Sequence, residues 1–171
     1  MDKTKEFEDF KKKYLKVNEV TETDKNAIFE YMSAKSYIIN DKLRNRRKLT
    51  SDEERFRIEL DNVLDKMPAY SGNFQRSVHI QDKKALVTFL SDYIEGNDIT
   101  FSEYLSTKKG AVYNPDAKVQ IYIKDAQNGK DISKYNTSEQ EVLYKRNASF
   151  HVENVVVKDG KTYILMVEIN E

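Results

Sequence analysis

Two glutamates one residue apart, Glu139 and Glu141, stand at the head of the apolar run Val142-Leu143-Tyr144. In an extended strand alternate side chains share a face, so the pair would project together, about 7 Å apart along the backbone. Neighbouring anions raise each other's pKa and cost stability. Such a pair is therefore either a solvated strand edge or a site where two carboxylates are needed. Paired carboxylates serve general acid and base catalysis, and in glycosidases they act as acid and nucleophile. A sugar groove is usually rich in Trp, and this chain has none, so the glycosidase reading is set aside.

Two further segments precede the pair. Arg76 lies in Tyr70-Ser71-Gly72-Asn73-Phe74-Gln75-Arg76-Ser77-Val78, and Ser106-Thr107 lie in Ile99-Thr100-Phe101-Ser102-Glu103-Tyr104-Leu105-Ser106-Thr107-Lys108. With Glu139-Gln140-Glu141 they resemble the Arg…Ser-Thr-Ser…Glu-x-Glu pattern of mono-ADP-ribosyltransferases, the branch that includes arginine-modifying toxins, vertebrate ecto-transferases and phage enzymes. The likeness runs from about Ile28 to the C-terminus, and it departs from the pattern at Lys108, where a second serine is expected.

The resemblance implies NAD as substrate, no metal, and a protein partner carrying an acceptor arginine. Breaking the bond between nicotinamide and ribose builds positive charge on the ribosyl carbon, which a fixed carboxylate stabilises. Glu141 is implied as that carboxylate. Glu139 is implied on the acceptor side, orienting a guanidinium and taking its proton, because a fully protonated guanidinium is a poor nucleophile. Arg76 would hold the dinucleotide with its fork, Ser106 would orient Glu141, and Thr107 would support the strand. In Tyr37-Ile38-Ile39-Asn40-Asp41-Lys42-Leu43-Arg44, Asn40 and Arg44 are one helical turn apart, so both can face the cofactor. A solvated basic helix end is the rival reading. Tyr135 falls in the implied substrate-recognition turns, where it would press on the target or cover the core. The rival activities are NAD glycohydrolysis, with water as acceptor, and a silent binding domain on the same scaffold.

Composition narrows the field. Lys plus Arg equals Asp plus Glu at 29 each, so no global field points to nucleic acid or membrane. The absence of cysteine excludes disulfides, a thiolate nucleophile and a zinc-thiolate site, and two histidines make a histidine metal centre improbable. The start of the chain has no apolar h-region and no run approaches a membrane span. The expectation is a soluble monomer acting in the cytoplasm of a host or target cell, as a phage protein, a secreted effector or the enzymatic piece of a toxin.

The elements that must carry these residues change texture midway. Phe7, Phe10, Tyr14 and Leu15 recur at helical spacing and predict a helix lying across a core. Thr21 or Thr23 can cap a second helix through Ile28, Phe29 and Met32, and a third spans about Ser36 to Asn45. Ser51-Asp52-Glu53-Glu54 reads as the capping box of a fourth, ending before Pro68. Strands are predicted at Phe74 to Ile80, Val119 to Ile123, Ser149 to Val152 and Thr162 to Ile169, with a helix from Lys83 to Glu95 and a hairpin turn at Asp159-Gly160. The expected fold is α+β, with N-terminal helices followed by a mostly antiparallel two-sheet β-sandwich of the ADP-ribosyltransferase type. It forms one domain over 1–171, mainly helical over 1–68 and mainly β over 69–171.

Overall fold

The structure, a computed structural model, describes residues 3–17, 20–110, 112–136 and 139–169, and the side chains among them apart from those of residues 12–17. The Thr137-Ser138 lead into the glutamate pair and the side chains of Tyr14 and Leu15 fall outside the described residues.

Four helices come first: α1 (Lys3–Val17), α2 (Glu22–Tyr31), α3 (Lys35–Arg44) and α4 (Ser51–Lys66). Thr21 caps α2 in a reciprocal box with Asp24, each side chain bonding the other's backbone N–H. The cap of α4 is Thr50, paired with Glu53, one residue earlier than the Ser51 expectation. Both Thr50-x-x-Glu53 and Ser51-x-x-Glu54 fit the capping pattern, and the earlier pair adds one residue to the helix. Phe7 and Phe10 of α1 are exposed, contrary to the expected packing across a core. Around them Lys5, Glu6, Glu8, Asp9 and Lys11 must stay hydrated, so the burial of two rings would not offset the desolvation of that many charges.

The remaining elements are β1 (Tyr70–Val78), α5 (Lys83–Leu90), β2 (Asp98–Phe101), β3 (Leu105–Lys108), β4 (Val119–Asp131), a 3-10 turn (Ser133–Tyr135), β5 (Glu141–Tyr144), β6 (Ala148–Lys158) and β7 (Lys161–Glu168). The helix expected to reach Glu95 stops at Leu90. Ser91 donates its hydroxyl back to the Thr88 carbonyl, and Tyr93 turns inward to stack on Phe89 with ring centroids 5.1 Å apart. Asp159 and Gly160 turn the last hairpin, both with positive φ, as a two-residue turn of this hand requires.

The strands are hydrogen-bonded in the order β1-β3-β5-β4-β7-β6-β2, with β1 also paired to β4. Among the described pairings only β4–β7 is parallel. The long β4 and its neighbour β1 therefore belong both to the run that continues through β7, β6 and β2 and to the group that holds β3 and β5. Gly129 on β4 is required by close approach, since a Cβ there would lie 2.5 Å from Val142 Cγ1.

Two cores share β5. Val142 and Tyr144 pack with Phe74, Ile121, Phe150, Ile164 and Met166 between the strands, whereas Leu143 packs with Ile28, Ile39, Leu60 and Leu64 under the helices. Strand alternation produces that division, and each fully buried side chain of this size contributes roughly 1.5–3 kcal/mol. The same alternation puts Glu141 on the helix side with Leu143. β5 is thus gripped on both faces, and the glutamate at its start inherits that rigidity.

Candidate active site

β3 and β5 bring the hydroxyl and the second glutamate together. Ser106 lies opposite Leu143, Thr107 opposite Val142 and Lys108 opposite Glu141. Ser106 and Lys108 therefore share the helix-side face with Glu141, and Thr107 turns the other way. The Ser106 hydroxyl donates a short hydrogen bond to Glu141 Oε2. Thr107 is buried and donates to the Val142 carbonyl at 2.7 Å, tying β3 to β5 from the core side. Arg76 reaches across from β1, one terminal nitrogen donating to the Ser106 carbonyl at 2.9 Å. Its positive charge is close enough to favour the ionised form of Glu141.

Glu139 is not on the strand. β5 begins at Glu141, and Glu139 and Gln140 form the turn before it, with Gln140 at φ 48° and its carbonyl accepting from Lys109 N–H. The expected same-face projection of two strand residues is therefore replaced by a turn. A left-handed residue reverses the chain between the two glutamates, so the strand period does not apply. Their charges still interact, because Glu139 raises the pKa of Glu141. Glu139 pairs with Lys108, Nζ to Oε2 at 2.6 Å.

Asn40 and Arg44 act on the segment leading into β3. Asn40 Oδ1 accepts from Tyr104 N–H at 3.1 Å, and its amide nitrogen donates to the Tyr31 hydroxyl at 3.1 Å. Arg44 Nε donates to Glu103 Oε2 at 2.5 Å while its side chain remains 54% exposed. Tyr104 is further held by its hydroxyl, which donates to Asp61 Oδ1 at 2.5 Å. Residues 103 and 104 are thus anchored to α3 and α4, fixing the entry to the strand that carries Ser106. Tyr135 lies apart from this cluster, packed on the helical core with its ring edge-on to Phe29 at 6.0 Å.

Several of these residues escape sequence reasoning. Glu103 and Tyr104 adjoin the Ser-Thr segment in sequence, but the burial of Glu103 and its pairing with Arg44, 59 positions away, emerge only in the fold. Tyr113, whose ring lies 3.9 Å from Lys108 Nζ, gave no signal, because it belongs to an irregular loop. Among the described residues no group of three His, Asp or Glu is arranged to hold a metal ion, and no helix is long and apolar enough to cross a membrane.

Burial raises the pKa of Glu141, with Glu139 adding to the effect and Ser106, Lys108 and Arg76 opposing it. The folded protein consequently keeps a proton on this group to a higher pH than the unfolded chain does. Stability falls as pH rises from the unfolded value through the raised folded one, and the cost of the buried charge is fully present above that window. Glu141→Gln is expected to melt at a higher temperature than the parent at pH 7.5, with the difference shrinking toward pH 4. Thermal denaturation followed by circular dichroism at the two pH values checks this.

Known proteins similar to this chain point to one family. The family model described as ADP-ribosyltransferase exoenzyme matches residues 4–170. The curated relative NAD(+)--protein-arginine ADP-ribosyltransferase Tre1 of Serratia proteamaculans is 27% identical over 155 residues, covering 88% of this chain and 33% of the relative. The chain thus spans about a third of that relative's length. Among solved structures, the C3 exoenzyme of Clostridium limosum superposes with a TM-score of 0.71 at 17% identity, covering 99% of this chain and 96% of the exoenzyme. The ADP-ribosyltransferase Vis of Vibrio splendidus, solved in complex with agmatine, superposes with a TM-score of 0.70 at 22% identity, covering 88% and 76% of the two chains. Matched along nearly its whole length by that family model, the chain belongs to the ADP-ribosyltransferase exoenzyme family.

Proposed function

We propose that this protein is a mono-ADP-ribosyltransferase that moves ADP-ribose from NAD to an arginine side chain of another protein, releasing nicotinamide. The observation that carries this reading is Glu141, mostly buried and held by the Ser106 hydroxyl, with a more exposed carboxylate, Glu139, one residue removed on a turn. The name of the Serratia relative specifies the same donor and acceptor.

In this reading Glu141 stabilises the ribosyl carbon as the bond to nicotinamide breaks and the pyridine leaves as a neutral ring. A fixed anion there favours the transition state over the ground state, because the sugar gains its charge only as the bond stretches. Ser106 positions Glu141. Arg76, anchored through one nitrogen, offers its remaining N–H donors to the diphosphate, and Arg44, held by Glu103 through Nε alone, is available for the same role. Asn40 works indirectly, by fixing the entry to β3, and Thr107 supports the strand from behind. Glu139 orients the acceptor guanidinium and accepts the proton it loses as its nitrogen bonds to the ribosyl carbon. Tyr135 covers the helical core and, being only half-buried, keeps part of its ring available to a target protein.

Residues 1–171 work as one domain in this proposal. Tyr104 bonded to Asp61 on α4, and Lys130 donating to the Met67 carbonyl at 2.8 Å, tie the helical and β portions together. The protein would act as a monomer inside a host or target cell. NAD glycohydrolysis is the second reading, favoured by the pairing of Lys108 with Glu139, which would leave water as the available acceptor.

Incubation with labelled NAD and a cell lysate, followed by mass spectrometric mapping of modified residues, tests the proposal. Arginine adducts are expected. Nicotinamide release without any protein adduct would replace the transferase reading with the hydrolase one.

A further inference from the structure

We propose that the space between the Glu139 carboxylate and the Tyr113 ring, filled by the Lys108 ammonium, is the acceptor guanidinium subsite, and that Lys108 is a built-in counter-ion the acceptor must displace. The inference rests on the arginine reading of Glu139 given above.

Three observations meet at this point. Strand alternation puts Lys108 on the face of Ser106, directly opposite Glu141, so its side chain belongs to the site. Its ammonium lies 2.6 Å from Glu139 Oε2 and 3.9 Å from the centre of the Tyr113 ring. A carboxylate and an aromatic face are the two groups that a guanidinium binds well, the first by paired hydrogen bonds and the second by stacking its plane.

The walls of this space are built to stay in place. Tyr113 N–H donates to Gln75 Oε1 at 3.0 Å and Asn114 N–H to Ser77 Oγ at 3.1 Å. Gln75 donates in turn to Gln120 at 2.6 Å, and Gln120 donates to the carbonyls of Asn114 and Ala117. The loop that presents Tyr113 is therefore fastened to β1 and β4 by buried amides, while Tyr113 itself stays 59% exposed. On the other wall the Glu139 side chain is 44% exposed but that of Lys108 only 17%. A guanidinium arriving from solvent meets the carboxylate and the ring before it meets the lysine. The unbranched stem of lysine lets its ammonium withdraw.

Two opposite effects on the acceptor follow. Removing the cation frees Glu139, so Lys108→Met and Lys108→Ser are expected to lower KM for agmatine about three- to fivefold, the scale of a partly exposed ion pair. Removing the ring takes away the stacking surface, so Tyr113→Ala is expected to raise that KM about three- to fivefold. Lys108→Arg keeps a cation against Glu139 and should hold KM at or above the parent value. Lys124→Met, which removes a surface lysine paired with Glu153, serves as the control. Calorimetric titration with agmatine should give the same order of affinities without turnover.

If Lys108→Met and Lys108→Ser leave KM and affinity for agmatine unchanged or weaker, or if Lys108→Arg behaves like Lys108→Met, the counter-ion role is overturned. Labelling of agmatine by the parent protein would in that case leave the arginine reading standing. Labelling gained only when Lys108 is removed supports the proposal. Nicotinamide release with no labelling of agmatine by the parent or any variant overturns both.

Discussion

Glu141→Gln is expected to slow nicotinamide release from NAD by about a hundred- to a thousandfold, whether or not an acceptor is present. That is the scale on which one fixed electrostatic partner of a transition state contributes. The substitution preserves shape and can still accept a hydrogen bond from Ser106, so the loss would report charge and not packing. The anion matters here because Glu141 is mostly buried and its field is poorly screened. Burial also raises its pKa, so the acid limb of the parent's pH-rate profile should lie above the usual carboxylate range. Initial rates of nicotinamide release for both proteins from pH 4 to 8 check both statements. A variant within tenfold of the parent would remove Glu141 from the chemistry.

A different pattern is expected of Glu139→Gln. Transfer to agmatine or to protein arginine should fall about a hundredfold or more, the range for loss of a positioned base. Release of nicotinamide in the absence of acceptor should persist within a few fold. The split follows from position: Glu139 lies on the turn ahead of β5 and bonds Lys108, whereas Ser106 bonds Glu141 and Arg76 bonds the Ser106 carbonyl, neither through Glu139. Parallel assays of acceptor labelling and NAD hydrolysis separate the two effects. Unchanged arginine labelling would end the acceptor assignment.

Local rules made much of this molecule legible in advance. Helical spacing and caps placed α2, α3 and α4, and β-branched alternation placed the cores of β4, β6 and β7. The full length of β4 was hidden because its outer half, such as Gln127-Asn128, is polar and depends on partner strands, and that of β6 because Glu153-Asn154 interrupts its apolar run where the ladder shifts register. The order of Arg76, Ser106 and Glu141 indicated that they belong together, and the structure places them in contact or in electrostatic range. Sequence could not show that Gln140 adopts a left-handed conformation, since Gln carries no turn preference. Nor could it show that Asn40 would direct both ends of its amide to Tyr31 and Tyr104, because those contacts join residues far apart in the chain.

That left-handed Gln140 uncouples the two glutamates. Glu141 cannot be shifted along the strand without displacing Val142 and Leu143, each committed to a different core. The residue one step beyond the bend carries no such obligation to the sheet. In the reaction proposed above, a change of side chain at 139 would therefore alter the acceptor side while leaving Ser106 and Glu141 in place.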